Sequence, residues 1–236
     1  MTPRQTSTES DQLGRSTWTE VANAVLSPVV LAVPLGSCEQ HGPHLPLDTD
    51  TQIALAISHG LAAALPGVLV APPITISASG EHRGFAGTLS IGASALEVVL
   101  IELVRSADWS AGVVFINGHG GNVVAVDNAL ALLRSEGRRV LSWWPDIVGG
   151  DAHAGRSETS LMMAIASSSV RHSAVEPGRS EPIRDLLPAL RVQGVRAVSP
   201  NGVLGDPRGA TAREGAEILR ACVLDVVAQV SAWITT

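Results

Sequence analysis

One stretch of the sequence, VVLAVPLGSCEQHGPHLPLDTD at residues 29–50, decides how the rest of the chain is interpreted. Its first part, Val29 to Ser37, is mostly apolar and predicts a buried strand. Its second part carries acids and histidines beside glycine and proline, and such groups are costly to bury without partners. Glu39 and His41 are two residues apart, so an extended backbone directs both side chains to one side. Imidazole nitrogen and carboxylate oxygen together suit Zn, Mn or Fe(II), which predicts a strand that ends in a metal site.

Outward from this stretch, strands alternate with helices along the chain. Short apolar runs at 68–71, 112–116 and 139–144 predict three further strands, and helical periodicity predicts helices between them. A closing helix is predicted over 210–234. This order is typical of a mainly parallel sheet with helices on both faces, which is an α/β fold of three layers.

Length and composition favour one large domain. We predict that residues 1–16 form a flexible N-terminal tail and that residues 17–236 form a single domain. Thr17 and Glu20 fit a capping box that begins the first helix of that domain. The segment 170–209 is rich in Pro, Gly and Arg, and its composition favours an insertion or an oligomer contact.

Composition also excludes several function classes. All 16 basic residues are arginine and tyrosine is absent, which excludes a lysine Schiff base, a lysine base and a tyrosine acid. A net charge of −6 argues against a nucleic-acid partner, and no apolar run reaches membrane-spanning length. The first residues lack the apolar core of a signal peptide, and two cysteines make no disulfide framework. We therefore predict a cytoplasmic protein.

Three polar clusters each follow a predicted strand. Glu39 and His41 follow the first strand, His119 follows the strand at 112–116, and His153 and Glu158 follow the last strand. Open α/β sheets bind ligands at the carboxyl ends of their parallel strands, and neighbouring strands lie only about 4.8 Å apart. We therefore expect these side chains to surround one small volume.

Each cluster also has a structural interpretation that remains open. Asp50 fits a helix N-cap as well as a ligand, and Asp48 competes for both roles. The glycines around His119 fit an anion cradle at a helix N-terminus, although the loop lacks the lysine of a P-loop. Glu158 fits a first-turn acid that the helix dipole favours. The pair Glu81–His82 fits a salt-linked loop.

The combination of motifs resembles the creatininase family of creatinine amidohydrolase-like enzymes. The matching segments, in family order, are residues 36–50, 85–89, 117–122 and 153–159. The resemblance implies a creatininase-like α/β/α fold, a site for two divalent ions per subunit and a ring-shaped homo-oligomer. It also implies that Glu39, His41, Asp50 and His119 are metal ligands, with Asp50 bridging the two ions. Ligands of this kind accept Fe(II), Zn or Mn.

The sequence departs from the family at one ligand. Members that hydrolyse creatinine carry a metal-binding glutamate two residues after the histidine that His119 matches, and this chain has Gly121 there. Glu158 is the predicted substitute, because it follows His153 in the shared Ala-Gly-x-x-Glu-Thr segment. The departure argues against creatinine as the substrate. The His-Gly-Gly-Asn version is most similar to the mycofactocin-system branch, whose members are peptidases that trim a modified precursor peptide.

We therefore predict a metal-dependent amide hydrolase, a peptidase that trims the modified mycofactocin precursor peptide to release its C-terminal core. His153 is the candidate acid, because no tyrosine or lysine is available, and Glu158 is a ligand, a proton carrier or both. Three alternatives stay open. They are another amidohydrolase of the family that acts on a cyclic amide or a formamide, a non-catalytic metal-binding subunit, and a cysteine hydrolase that uses Cys38.

Overall fold

A four-stranded parallel sheet forms the centre of the protein. The computed structural model of the chain describes residues 12–147 and 149–235. The strands are β1 (Val30–Leu35), β2 (Val68–Val70), β3 (Gly112–Asn117) and β4 (Val140–Trp143), and their order is β2-β1-β3-β4. β1 and β3 pair along their whole length, with Val30 opposite Gly112 and Leu35 opposite Asn117. The two strands that lead into Glu39 and His119 are therefore central neighbours.

Helices cover both faces of the sheet. In the described residues the α-helices are α1 (Trp18–Ala24), α2 (Thr49–Ala64), α3 (Ala93–Ser106), α4 (Val123–Ser135), α5 (Arg156–Ala166), α6 (Ile183–Gln193), α7 (Val195–Val198) and α8 (Ala212–Ile234). α2, α5 and α8 share one apolar core with the sheet, and α3 and α4 share the other. This arrangement confirms the predicted three-layer α/β/α fold with a parallel sheet.

The side chains of β1 alternate between these two cores. Val30 and Ala32 pack on the side of α2 and α8, whereas Leu31, Val33 and Leu35 pack on the side of α3 and α4. Every residue of β1 is buried, as expected for a parallel strand that is covered on both faces. Burial of a side chain of this size stabilises the fold by about 1.5–3 kcal/mol. The strand that positions the site is thus held firmly from both sides.

The amino-terminal region and the segment 170–209 add structure at the edges. Thr17 and Glu20 form the predicted capping box at the start of α1. Of the predicted tail, residues 1–11 lie outside the described residues, and Gln12 pairs with Val70 in an isolated bridge. The segment 170–209 contains α6 and α7, which its composition does not predict and which share a small core of their own. No helix in the described part is long and apolar enough to cross a membrane.

Candidate metal centre

The carboxyl ends of β1, β3 and β4 converge on one buried cluster of acids and histidines. Glu39 and His41 follow β1, His119 follows β3, and His153 lies in the loop after β4. Glu39 Oε2 lies 3.1 Å from His119 Nε2, and Glu39 Oε1 lies 3.8 Å from His153 Nδ1. Groups from three separate parts of the chain are therefore in contact at one edge of the sheet.

Asp50 lies between two imidazoles. Its Oδ1 is 3.0 Å from His41 Nε2, and its Oδ2 is 3.3 Å from His119 Nδ1. Oδ2 also accepts a hydrogen bond from Ser37 Oγ at 2.7 Å. Burial raises the pKa of Asp50, but the two adjacent imidazoles lower it further, so that the pKa lies well below its usual range. The carboxylate is therefore charged and presents one oxygen to each histidine.

A close approach of α2 to the ends of the strands brings Asp50 to this position. Asp50 is in the first turn of α2, and a Cβ atom on Gly118 would lie only 2.6 Å from the backbone oxygen of Asp50. A side chain at position 118 would therefore push the helix away from β3. Asp48, the competing acid, lies at the N-cap position without capping the helix, and its side chain accepts a hydrogen bond from Gln52. The structure thus brings Asp50, and not Asp48, into the cluster.

Glu39 is fully buried, and neither of its carboxylate oxygens accepts a hydrogen bond. The nearest ring nitrogens, of His82, His119 and His153, lie 3.1–3.8 Å away but out of line for a hydrogen bond. Burial raises the pKa of Glu39 to about 7, against the opposing effects of His119, His41 and the nearby Ser79 hydroxyl, which lies close to the carboxylate without completing a hydrogen bond. An unsatisfied buried charged group costs more than about 1–3 kcal/mol. The surrounding carboxylate and imidazole donors fit a divalent cation that would remove this cost.

Three of the histidines around the acids are each anchored by a backbone carbonyl. The bonds join His41 Nδ1 to Glu39 O (3.1 Å), His119 Nε2 to Ala78 O (3.1 Å) and His153 Nε2 to Gln40 O (2.8 Å). A ring nitrogen that donates to a carbonyl carries the proton, which leaves the other nitrogen free. Histidines that bind metals are typically held in this way. The free nitrogens are Nε2 of His41 and Nδ1 of His119 and His153.

The carboxylates decide which of these histidines is charged. Burial alone lowers the pKa of each imidazole, but Asp50 raises the pKa of His41 to about 10, and Glu39 and Asp50 raise that of His119. The pKa of His153 lies well below its usual range, because burial and the neighbouring His41 both disfavour its charged form. Without a cation, His41 and His119 thus carry the positive charge and His153 is neutral.

His82 and Gln40 belong to the cluster, although the sequence did not predict them as site residues. His82 Nε2 lies 3.3 Å from Glu39 Oε1. Gln40 Oε1 accepts a hydrogen bond from Gly42 N, and its Nε2 lies 3.0 Å from Gly202 O and 2.9 Å from His82 Nδ1. These contacts orient the amide so that it donates to His82 Nδ1, which places the proton of neutral His82 on Nε2. The only signal in the sequence is position, since Gln40 lies between Glu39 and His41.

Glu158 completes the cluster from the first turn of α5. Its Oε2 lies 3.9 Å from His41 Nε2 and accepts a hydrogen bond from Ala154 N at 2.6 Å. Ala154 has a φ of 52°, the one positive value among the described residues other than glycine. This uncommon conformation points the Ala154 N–H at the carboxylate. Burial raises the pKa of Glu158 to about 7, against the opposing effect of His41.

Three sets of side chains place ligand atoms close enough to share an ion. The sets are Glu39 with Asp50 and His119, His41 with His153 and Glu158, and Glu39 with His82 and His153. Every site residue that the sequence predicts is in at least one set. His44, from the same motif, is buried against Thr159, 2.9 Å from its hydroxyl, and is in none of the three.

The cluster opens into a cleft of about 1320 Å³. Asp50, His119 and Glu158 line its inner side, and Trp144 and Leu187 line other parts of its wall. Leu187 is on α6, so the segment 170–209 forms part of the wall of the cleft. Pockets for small molecules usually measure about 300–1,000 Å³, so this cleft is large enough for an extended substrate.

Comparison with known proteins relates this arrangement to a defined family. The sequence profile of the creatininase family, described as creatinine amidohydrolase, matches residues 14–230. The chain is 48% identical to a mycofactocin precursor peptide peptidase of Mycobacterium ulcerans, a match that covers 94% of this chain and 91% of the relative. It is 30% identical to the creatinine amidohydrolase of Pseudomonas putida, over 89% of this chain and 92% of that protein.

Solved structures support the same relation to the creatininase family. A structure named "Creatininase Mn" superimposes with a TM-score of 0.80 at 25% identity and covers 96% of this chain and 99% of that one. A zinc–zinc form of a creatininase mutant superimposes with a TM-score of 0.79 at 25% identity, over 95% and 98% of the two chains. The sequence profile and the relatives match nearly the whole chain, and the protein therefore belongs to the creatininase family.

Proposed function

We propose that this protein is a metal-dependent peptidase that trims the precursor peptide of mycofactocin. The observation that carries the proposal is Glu39, a buried carboxylate without a hydrogen bond, surrounded by imidazoles. Such a group is stable in a folded protein when a cation neutralises it. The relatives that are 47–48% identical are named mycofactocin precursor peptide peptidases, which supports the substrate.

We propose two metal positions that share Asp50. Glu39, His119 and Asp50 would hold one ion, and His41, Glu158 and Asp50 would hold the other. The contact of each Asp50 oxygen with a different imidazole supports a bridging role. The mixed nitrogen and oxygen donors suit Fe(II), Zn or Mn, and family structures in Mn and Zn forms support the same choice.

His153 and Glu158 are the proposed proton carriers. Bound divalent ions would lower the pKa of a water molecule and polarise the amide carbonyl. His153 carries its proton on Nε2, so its unprotonated Nδ1 can accept a proton and then deliver it to the leaving nitrogen. Its Nε2–H stays bonded to the Gln40 carbonyl throughout, which fixes the ring. Glu158 has a pKa of about 7 and can also hold a proton near neutrality when it is not a ligand.

The cleft supports a peptide in preference to a small cyclic amide. Its volume of about 1320 Å³ exceeds that of usual small-molecule pockets. Trp144 is half exposed in the wall of the cleft, beside the apolar residues Ile147 and Leu187. These side chains offer an apolar surface to the substrate, whereas the acids and histidines are at the bottom.

The test is cleavage of a synthetic precursor peptide that carries the modification at its C-terminus. Freshly purified protein, loaded separately with Fe(II), Zn or Mn, is incubated with the peptide, and products are identified by mass spectrometry. We expect release of the C-terminal core, loss of cleavage with a chelator and recovery when metal returns. The unmodified peptide is the matched control for substrate choice.

The outcomes separate the alternatives. Metal-loaded protein that leaves the peptide intact but hydrolyses a formamide or a cyclic amide would make it another amidohydrolase of the family. Bound metal without hydrolysis of any amide would make it a binding subunit. Inactivation by a thiol reagent, with no effect of a chelator, would favour Cys38, whose Sγ lies 3.7 Å from Gly87 O.

We also propose a homo-oligomer in the cytoplasm, built from one domain over residues 17–236. Trp18, on α1, is 81% exposed, and Leu26, just after α1, is 85% exposed. These exposed apolar side chains support self-association. The free thiols of Cys38 and Cys222 support a reducing compartment. Sedimentation of the wild type and of a Trp18→Glu, Leu26→Glu variant tests the assembly, and cell fractionation tests the location.

A further inference from the structure

Position 121 holds a glycine at a crowded point of the metal centre. A Cβ atom on Gly121 would lie 2.2 Å from Glu81 Oε1, 2.4 Å from His119 Nε2 and 2.5 Å from the Ala78 carbonyl oxygen. None of these contacts is possible for a real side chain. The carboxylate of Glu81 therefore fills the space that a larger residue at position 121 would need.

Glu81 reaches this space from a different part of the chain. It lies in the short 3₁₀ turn Gly80–His82, which also supplies His82 to the cluster. Its Oε1 is 3.2 Å from His119 Nε2, and its side chain remains 35% exposed at the edge of the cleft. Burial raises the pKa of Glu81, but the contact with His119 lowers it further and keeps the carboxylate charged.

The geometry of His119 indicates how this charge acts. Nε2 donates to the Ala78 carbonyl, so Nδ1 is the nitrogen that faces Asp50 and is free for a metal. Glu81 Oε1 and Glu39 Oε2 both lie at the Nε2 end, 3.2 and 3.1 Å from that nitrogen, whereas Asp50 faces Nδ1. A carboxylate on the outer nitrogen of a ligating histidine increases its basicity and fixes its orientation.

We infer that Glu81 is a positioning residue that takes the place of the missing side chain at position 121 and strengthens metal binding through His119. The inference rests on the proposed metal centre but not on the peptide substrate. It differs from the substitution predicted from the sequence, because Glu158 lies on the other side of the cluster, near His41. Gly121, which has no side chain, thus leaves the space that the Glu81 carboxylate occupies.

The experiment measures zinc affinity by competition with a chromogenic chelator. Glu81→Gln and Glu81→Ala are expected to bind zinc about 10–100-fold more weakly than the wild type, as is usual for the loss of an outer carboxylate. The matched control is Glu181→Gln, since Glu181 lines the same cleft but pairs with Arg179. Its zinc affinity is expected to stay unchanged. The visible spectrum of the Co(II)-substituted protein is expected to change in the Glu81 variants and not in the control.

A second pair of variants tests the shared space. Gly121→Glu alone is expected to weaken zinc binding, because two carboxylates then compete for one volume. Glu81→Gly combined with Gly121→Glu removes the contact with the Glu81 carboxylate but not those with His119 Nε2 and the Ala78 carbonyl. The double variant is therefore expected to recover part of the loss and to bind zinc more tightly than the two separate losses would give by addition. Circular dichroism without metal checks that each variant is folded.

Clear results would overturn the inference. The inference is wrong if both Glu81→Gln and Glu81→Ala bind zinc with wild-type affinity and give the wild-type Co(II) spectrum. Strictly additive losses of zinc affinity in the double variant would also overturn it. Wild-type protein that binds no divalent ion would overturn the metal centre itself and this inference with it. Loss of zinc affinity in Glu81→Gln without loss of peptide binding would leave the inference intact while the substrate is decided separately.

Discussion

The charged side chains at the two ends of the central sheet lie in opposite environments, exposed at the amino ends and buried at the carboxyl ends. At the amino ends of β3 and β4, arginines and acids form ion pairs on the surface, such as Arg138 Nε with Glu136 Oε2 at 3.1 Å. Arg138 also contacts Asp108, and Arg105 contacts Glu136. At the carboxyl ends, Glu39 and Asp50 are buried among histidines, and Glu39 has no hydrogen bond to either oxygen.

This difference shows which charges serve the fold and which serve a ligand. Exposed ion pairs are satisfied by each other and by water, and they contribute little to stability. Buried carboxylates without hydrogen bonds are costly, and a fold that keeps them usually has a functional reason. The position of the costly charges therefore locates the active end of the sheet.

The largest expected effect comes from removing the buried ligands at the carboxyl end. Glu39→Gln and His119→Ala should lose most bound metal, and activity should fall by at least about a hundredfold, because metal catalysis contributes several kcal/mol. Elemental analysis measures the bound metal, and the peptide assay measures the activity. The metal-free Glu39→Gln protein should be no less stable than metal-free wild type, because an unsatisfied carboxylate is gone. Metal retained at the wild-type level in both variants would rule out these ligands.

His153→Ala separates proton transfer from metal binding at the carboxyl end of the sheet. We expect the ion of Glu39, Asp50 and His119 to remain, while turnover falls by about 10²–10⁴-fold through loss of the proton carrier. Metal content and turnover are measured on the same sample. A variant with normal turnover would remove His153 from the mechanism, and a variant that loses all metal would make it a ligand.

The pH dependence of metal binding tests the protonation of the cluster at the carboxyl end of the sheet. Without metal, His41 has a pKa of about 10 and Glu39 a pKa of about 7, so protons occupy the site at neutral pH. Binding must displace these protons, so affinity should rise with pH between 6 and 8, by about tenfold per unit for each proton released. Calorimetry in buffers of different ionisation enthalpy counts the protons. Affinity that is constant or falls over this range would contradict the proposed protonation states.

The smallest effect is expected at the opposite end of the sheet. Glu136→Gln removes the partner that Arg105 and Arg138 share. The midpoint of thermal unfolding should stay within about 2 °C of the wild type, because exposed ion pairs are screened by water. Metal content and peptide cleavage should not change. A large loss of metal content or of cleavage would show that the two ends of the sheet are coupled.

Local patterns in the sequence determined the layers of the fold and most of the cluster. Apolar runs and helical periodicity depend on neighbouring residues alone, and a helix predicted between the strands at 112–116 and 139–144 is present as α4. The capping box of Thr17 and Glu20 is equally local. Because parallel strands end at a common edge, the positions of Glu39, His119 and His153 after their strands were enough to bring them together.

The remaining parts of the site depend on contacts between distant segments of the chain. Gln40 and His82 meet because a short turn packs against the end of β1, and no spacing in the sequence encodes that contact. Glu81 fills the space at Gly121 although 40 positions separate them. α6 forms a wall of the cleft within the segment 170–209, whose composition favoured an insertion or an oligomer contact. Periodicity reports which face of an element is buried, but it does not report which distant segment covers that face. Contacts between distant segments arise only when the whole chain is packed.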